Sequence, residues 1–385
     1  MYNILTLNKI AKIGLDKLGD NYAVADDMAN PDAVLVRSAA MHDMELPESL
    51  LAIARAGAGT NNIPIDKCSQ QGIVVFNTPG ANANAVKELV IAGMLISSRD
   101  VIGGIKWAET LKGNGDQVGK MVEKGKSQFV GPEIMGKKLG VIGLGAIGVL
   151  VANAATALGM EVLGYDPFIS VDGAWGLSRD VKHVINLDDI FTQCDYITVH
   201  VPLTPDTKNL VNKDSIAKMK SNVRILNFSR DALVDSAALI AALKDGKIAG
   251  YVTDFATDDI IGEKGVIVLP HLGASTPESE ENCAVMAAQE VKSYLETGSI
   301  KNSVNLPNLD MPRTTATRYC VIHSNVPTIL NQICAKFADC GANIENMESK
   351  SRGDYAYSVL DTSSDVECIE QIKAIEGVIR VRVIK

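Results

Sequence analysis

The seven cysteines of this chain form no CxxC pair and have no His-rich neighbourhood, which excludes a patterned zinc site and a disulfide framework. An odd number of unpaired thiols suits a reducing cytosol. A long apolar run is also missing. The longest, residues 89–98, lies between Lys87-Glu88 and Arg99-Asp100 and is about half the length a bilayer requires. The opening residues Met1-Tyr2-Asn3-Ile4-Leu5 show no basic segment followed by an apolar one, so no signal peptide is expected and the protein is read as soluble and cytoplasmic. Positive charge is in deficit: 37 Lys and Arg face 46 Asp and Glu, a net charge of −9. That balance argues against nucleic acid or an anionic membrane as a partner. An anionic small molecule must then be held by local cations.

What is present is an ordinary globular composition, 46% hydrophobic and 22% charged with no low-complexity stretch, over a length that implies two or three domains. Up to about residue 95, short apolar runs at 33–36, 51–54 and 74–76 read as buried strands of an α/β domain. From 138 to 269 strands and helices alternate, with strands at 139–142, 161–165, 196–199, 223–228, 250–253 and 266–269 and a helix at 236–243. That rhythm implies a parallel, doubly wound sheet. Two long helices, 85–108 and 277–296, flank this block, the second returning the chain to the first domain. A Pro-bearing segment follows. The last 68 residues, 318–385, read strand, helix, strand, strand, helix, strand, a ferredoxin-like order. The expected division is 1–95 with about 276–302, then 96–275, a linker at 303–317, and 318–385.

The chemistry begins at Gly143-Leu144-Gly145-Ala146-Ile147-Gly148, which follows the strand 139–142 and opens a helix near Ile147. Two glycines allow the backbone to turn and approach a pyrophosphate; the third lets helix and strand pack closely. The helix N-terminus faces the phosphates. Asp166 ends the next strand, where a carboxylate bonds ribose hydroxyls and repels a 2′-phosphate, so NAD is favoured over NADP. Further on, Arg230, Asp254 and His271 each follow a strand at its carboxyl end, where such sheets bind ligands. Hydride exchange with a 2-oxo acid needs a cation for the carboxylate and carbonyl, which Arg supplies as a fork, and a proton donor, which His supplies near neutrality.

Together with Asn227-Phe228-Ser229-Arg230, Thr253-Asp254-Phe255 and Pro270-His271-Leu272-Gly273-Ala274-Ser275-Thr276, the glycine motif resembles the D-isomer-specific 2-hydroxyacid dehydrogenases. Val36-Arg37-Ser38, Arg55-Ala56-Gly57-Ala58-Gly59 and Asn77-Thr78-Pro79-Gly80-Ala81-Asn82 look like the substrate loops of the family's phosphoglycerate-oxidising branch. The resemblance implies a flavodoxin-like substrate domain, a Rossmann NAD-binding domain and a C-terminal ferredoxin-like domain of the ACT type. It implies NAD-dependent oxidation of D-3-phosphoglycerate to 3-phosphohydroxypyruvate, the first step of L-serine biosynthesis. A relative acting on glycerate or hydroxypyruvate, or a weakly catalytic NAD sensor, is the alternative. On this likeness Arg230 holds the substrate carboxylate and His271 is the acid/base. The NAD site takes in Gly143, Gly145, Ala146, Ile147, Gly148, Asp166, Val201, Phe228, Ser229 and Asp254. Arg37, Ser38, Arg55, Ala58, Gly59, Asn82 and Lys126 hold the substrate, the cations neutralising its phosphate.

Three positions depart from the family pattern. The Glu expected five residues after Asp254, as partner of the catalytic His, is Asp259, with Asp258 or Glu263 as alternatives; the Gly expected after Arg230 is Asp231. In the last domain, His323, Asn325 and Asn343 resemble an L-serine effector site shared across subunits, but Thr328 stands where Gly is usual. This domain either senses an amino acid or only assembles subunits, and a homodimer or homotetramer is expected.

Overall fold

A computed structural model of the chain describes residues 1–315, 317–364 and 368–385. It separates into two compact units, Met1–Asn82 with Pro277–Lys385, and Ala83–Thr276.

The first unit opens with a parallel sheet of β1 (Tyr2–Leu7), β2 (Tyr22–Ala25), β3 (Ala33–Val36), β4 (Ala52–Arg55) and β5 (Val74–Asn77), in the flavodoxin-like order β2-β1-β3-β4-β5. The last three are the continuous apolar runs that a sheet covered on both faces demands. The first two escape a hydrophobic scan because Asn3 and Thr6 interrupt β1 and only Tyr22 of the edge strand β2 is buried. The helix Pro277–Thr297 lays Cys283, Ala284, Ala287, Ala288, Val291 and Tyr294 into the core of this sheet. Its small residues allow close approach: a Cβ at Gly14 would lie 2.5 Å from the Ala284 carbonyl carbon.

The second unit is built on β6 (Lys138–Ile142), β7 (Glu161–Tyr165), β8 (Lys182–His183), β9 (Tyr196–Val199), β10 (Val223–Asn227), β11 (Ile248–Thr253) and β12 (Val266–Val268). Their order, β12-β11-β10-β9-β6-β7-β8, with every pair parallel, is the doubly wound Rossmann arrangement. The strand order reverses between β6 and β9, which places a binding crevice at their carboxyl ends. The expected boundary at 95 falls instead at 82/83. The helix Ala83–Ser98 buries Val86, Val90 and Met94 against Val252 and Phe228 of this unit. Nor do residues 85–108 form one helix. The chain breaks after Ser98, and Asp100 caps a second helix, Val101–Glu109, by accepting from the Gly103 amide at 2.9 Å.

The C-terminal segment forms β13 (Thr317–Ser324), β14 (Ile344–Arg352), β15 (Tyr355–Thr362) and β16 (Val378–Ile384), an antiparallel sheet in the ferredoxin-like order β14-β15-β13-β16. Alternation decides what each face meets. Tyr319, Val321 and Leu360 pack on Ile333, Phe337 and Ile372 of the helices Ile329–Asp339 and Ile369–Lys373. Cys320, Ile322, Tyr357, Val359 and Ile384 belong to the same core as the Pro277–Thr297 helix. The C-terminal sheet is therefore part of the first unit, and not a module on a flexible tether.

The expected linker at 303–317 is correspondingly ordered; of it, residue 316 lies outside the described residues. Leu306, Leu309 and Met311 are buried in the shared core. The Asn305 side chain accepts from the Val75 amide at 2.9 Å and donates to the Ile73 carbonyl at 2.9 Å, occupying the open edge of β5. Arg380 donates to the Leu50 carbonyl and Arg382 to that of Leu295, at 3.0 Å for the latter.

Candidate active site

The turn between β6 and the helix Ala146–Ala157 has the geometry a dinucleotide requires. Gly143 sits at φ +92°, and a Cβ there would lie 2.5 Å from the His200 carbonyl oxygen. A Cβ on Gly148 would fall 1.9 Å from the Gly143 carbonyl oxygen, so helix and strand meet there only through glycine. At Gly145, by contrast, a Cβ would meet nothing within 4 Å, leaving open space beside the helix N-terminus, and no side chain caps it. The first-turn amides are thus available to an anion. Asp166 is fixed by two backbone donors, the Leu144 amide on Oδ2 and the Phe168 amide on Oδ1, both at 2.8 Å. A carboxylate so oriented has lone pairs left for hydroxyl donors. Ala146 is exposed, and Ile147 and Val201 are half-buried, at the same end of the sheet. The residues present fit a dinucleotide. Phe228 needs a correction: its ring lies in the core with Val90 and Met94, so only its backbone can face a ligand.

A cleft of about 370 Å³ opens among Asp231, Asp254, Phe255, Ala256, Thr257, Pro270 and His271. Parallel pairing of β11 with β12 brings Asp254 and His271 together, and the loop then closes over the carboxylate. The His271 amide donates to the Asp254 carbonyl at 3.1 Å and the Gly273 amide to Asp254 Oδ2 at 3.3 Å. His271 holds φ +47°, unusual for a residue with a side chain. Its ring is exposed and stands edge-on to Phe255, centroids 4.8 Å apart, while the Arg230 guanidinium lies 5.9 Å from the same Phe255 ring. Phe255, although part of a motif, carries no polar atom and gave no sequence signal for this organising place. Asn227 holds the turn beneath by donating to the Arg230 carbonyl at 2.7 Å, and Ser229 donates to the Val199 carbonyl at 2.8 Å.

Asp259, the carboxylate expected beside His271, is not among the residues that line this cleft. Asp259 is exposed and accepts from the Thr257 hydroxyl at 2.5 Å, which holds its carboxyl below the usual carboxylate range. Glu263 pairs with Lys244 at 3.7 Å. One methylene shorter than Glu, Asp259 closes a local turn with Thr257. Asp254 and Asp231 are the acids that line the cleft with His271. Asp254 is buried, burial pushes its carboxyl up, and the charges of His271 and Arg230 oppose that rise.

In the first unit the loop after β4 folds around Arg55. Its Nε donates to the Arg37 carbonyl at 2.9 Å, and its Nη1 lies 3.4 Å from where a Cβ on Gly59 would be. Burial, with the neighbouring Arg37 charge, lowers the Arg55 pKa from its ordinary value. Arg37 itself pairs with Glu280 at 2.6 Å. Asn77 donates to the Ala58 carbonyl at 2.6 Å, and Asn8 accepts from the Ser38 amide at 2.9 Å. Asn82 is half-buried at the end of this segment. Lys126 belongs to the second unit, where it pairs with Glu123 at 2.5 Å.

A second cavity, about 220 Å³, lies in the C-terminal sheet among His323, Asn325, Val326, Thr328, Ser349 and Lys350. His323 is buried and uses both ring nitrogens: Nδ1 donates to the Ser324 carbonyl and Nε2 accepts from the Ser358 hydroxyl, each at 2.9 Å. Burial lowers its pKa. Asn325 donates to the Gly353 carbonyl at 3.0 Å, which leaves its Oδ1 for a ligand. Asn343 does not line this cavity and donates to Glu345 at 2.8 Å.

Residues 100–273 match the family model described as D-isomer specific 2-hydroxyacid dehydrogenase, NAD binding domain. The chain is 33% identical to a D-3-phosphoglycerate dehydrogenase of Haemophilus influenzae, over 89% of this chain and 83% of that one. It is 33% identical to the D-3-phosphoglycerate dehydrogenase of Synechocystis sp. over 92% of its own residues, but spans only 64% of that relative's length. The chain covers about half of several further curated relatives. Among solved structures, an NAD+-bound 3-phosphoglycerate dehydrogenase of Entamoeba histolytica matches with a TM-score of 0.58 at 26% identity, over 80% of this chain and 99% of that one.

Proposed function

The chain belongs to the D-isomer specific 2-hydroxyacid dehydrogenase family, and from that premise we propose that it oxidises D-3-phosphoglycerate to 3-phosphohydroxypyruvate. The observation that carries the reading is the convergence of Arg230 and His271 on Phe255, at the carboxyl ends of β10 and β12. Arg230 binds the substrate carboxylate through its planar fork. His271 takes the C2 hydroxyl proton as that carbon becomes a carbonyl, and returns it in the reverse reaction. NAD supplies the hydride acceptor when bound at the Gly143–Gly148 turn, with Asp166 on its ribose. Arg37 and Arg55 neutralise the phosphate, aided by Lys126, and the backbone at Ala58 and Gly59 grips the carboxylate. The C-terminal sheet acts as an ACT domain that assembles a homo-oligomer and admits L-serine at Asn325, with Asn343 supplied by a second subunit; His323 shapes the cavity wall.

Reduction of 3-phosphohydroxypyruvate by NADH tests the activity directly. It should proceed, fall about 10²–10⁴-fold in His271→Ala with NADH binding retained, and depend on Arg55. One observation favours a second reading: Glu280 already partly neutralises Arg37, which suits an unphosphorylated acid. Equal turnover of glycerate, unchanged in Arg55→Ala, would select that reading and reject the phosphorylated substrate.

A further inference from the structure

We propose that Glu280 is a specificity-determining residue of the site at Arg37 and Arg55: its carboxylate is a resident counter-ion that the phosphate of a substrate must displace from Arg37. The inference rests on the phosphate reading of the two arginines given above and deepens it.

Two guanidinium groups share this site with a single carboxylate. Arg37 Nη2 meets Glu280 Oε1 at 2.6 Å, and both side chains are about half exposed. Arg55 donates Nε to the Arg37 carbonyl at 2.9 Å, while its Nη1 and Nη2 have no acceptor among the described residues. Burial weighs against the Arg55 cation, and the Arg37 charge adds to that effect while Cys283 opposes it. A Cβ on Gly57 would lie 2.8 Å from Arg55 Nη1 and one on Gly59 3.4 Å, so bare backbone flanks the open end of the fork. An unpaired planar fork beside a second cation is suited to an anion with several oxygens. The carboxylate of Glu280 already answers one of the two charges.

Glu280 stands in the first turn of the helix Pro277–Thr297, where the helix dipole favours any acid. Glu278 in the same turn has the same advantage, yet makes no ion pair among the described residues. The difference is the face. Cys283, three residues beyond Glu280 and on the same side of the helix, is buried within reach of the charges of Arg55, Arg37 and Glu280. A phosphate approaching Arg37 therefore meets a like charge, and the ion pair must open before the phosphate can take its place. An unphosphorylated acid leaves the pair intact. A half-exposed pair of this kind is weak enough for a dianion to break, so Glu280 grades the affinity for phosphorylated ligands and does not block them.

The test is calorimetry on the intact chain saturated with NADH, which lets D-3-phosphoglycerate and D-glycerate bind without turnover. Glu280→Gln keeps the shape of the side chain and removes its charge. It should bind D-3-phosphoglycerate about 3–10-fold more tightly and leave D-glycerate within about 2-fold of wild type. Glu281→Gln, which removes the same charge from an exposed neighbour, should change neither affinity. In an Arg37→Gln background the gain from Glu280→Gln should shrink below about 2-fold, because the pair it releases is no longer there. In steady-state reduction of 3-phosphohydroxypyruvate, Glu280→Gln should lower KM with little change in kcat. An unchanged affinity for D-3-phosphoglycerate in Glu280→Gln, an equal gain for both acids, or a gain that persists in full with Arg37→Gln overturns the proposal and leaves the activity untouched. A gain for the phosphorylated acid alone, in a chain that reduces no phosphorylated 2-oxo acid, refutes the proposed substrate and leaves the resident counter-ion standing. Absence of D-3-phosphoglycerate binding in both proteins refutes the two together.

Discussion

Two strand-to-helix turns, one in each unit, solve the same backbone problem with opposite means. Between β6 and the helix Ala146–Ala157 the residue that must take positive φ is Gly143, and the close contact is made by Gly148. Between β13 and the helix Ile329–Asp339 the positive-φ residue is Thr328, at φ +74°, a β-branched side chain where glycine costs least. The first turn leaves its helix amides free and its floor bare. In the second, side chains line the cavity, and His323 has spent both nitrogens inside the chain. A turn whose chemistry is done by the backbone dictates its residue types and is legible as a motif. A turn whose chemistry is done by side chains is legible only once their neighbours are known.

The largest effect is expected from removing the anchor at the far end of the strand that leads into the second turn. Arg318, at the start of β13, forms a buried two-pronged pair with Asp361, Nε to Oδ1 at 2.7 Å and Nη2 to Oδ2 at 2.9 Å. Arg318→Ala leaves the Asp361 charge buried and should cost about 3–5 kcal/mol in a urea melt at neutral pH. Burial raises the Asp361 pKa, but the bonds and charge of Arg318 together with the Thr314 donors outweigh it and hold that carboxyl below its ordinary value. Its stabilisation is therefore fully present above about pH 4 and is lost as pH falls through the lower, folded-state value, so the gap between wild type and variant should narrow in acid. A gap that widened in acid would contradict the pairing.

Glu290, on the helix that supports both sheets of the first unit, shifts the opposite way. Burial raises its carboxyl from 4.5 to about 8, Asn302 donates to Oε1 at 2.7 Å, and Oε2 has no partner. A folded-state value above the unfolded one makes stability fall as pH rises from about 4.5 towards 8, because the unfolded chain releases the proton first. Glu290→Gln should match wild type near pH 4 and exceed it by about 2–4 kcal/mol at pH 9. Thermal melts across that range measure the difference.

Gly148→Ala sharpens the comparison from the other side. A Cβ 1.9 Å from the Gly143 carbonyl oxygen forces helix and strand apart, so about 2–3 kcal/mol of stability and most of the NADH affinity should be lost together. Fluorescence titration with NADH and a denaturant melt read the two losses, and an undisturbed affinity would show that the turn is not the phosphate cradle. The smallest effect belongs to the second turn. Thr328→Gly relieves the left-handed strain at some cost in chain entropy, and should raise stability by about 0.5–1 kcal/mol without changing NADH binding.

Much of the architecture is legible in the sequence. Strands whose apolar run is nearly continuous, such as 161–165 after its exposed Glu161 and 196–199 around the buried Thr198, emerged with the expected bounds, because a strand covered on both faces is apolar over most of its length. The edge strand β2 and the broken helix after Ser98 were not legible. Their boundaries are set by which neighbour covers one face and by a single cap at Asp100. The C-terminal segment was legible as a fold but not as a partner: alternation along β13 marks two apolar faces, and only packing shows that one is covered by its own helices and the other by the core of Pro277–Thr297.

By itself the sequence determined the parallel Rossmann sheet, the glycine turn with Asp166 and the strand-end positions of Arg230, Asp254 and His271, since backbone sterics and hydrophobic periodicity are local properties of the chain. Tertiary structure alone decided that Asp259 bonds Thr257, that residues 303–315 are built into the first unit, and that His323 is already satisfied. The last two depend on hydrogen bonds and packing among residues far apart in sequence, as between Asn305 and Val75 or His323 and Ser358, and the first on which neighbour a side chain meets once its turn has closed.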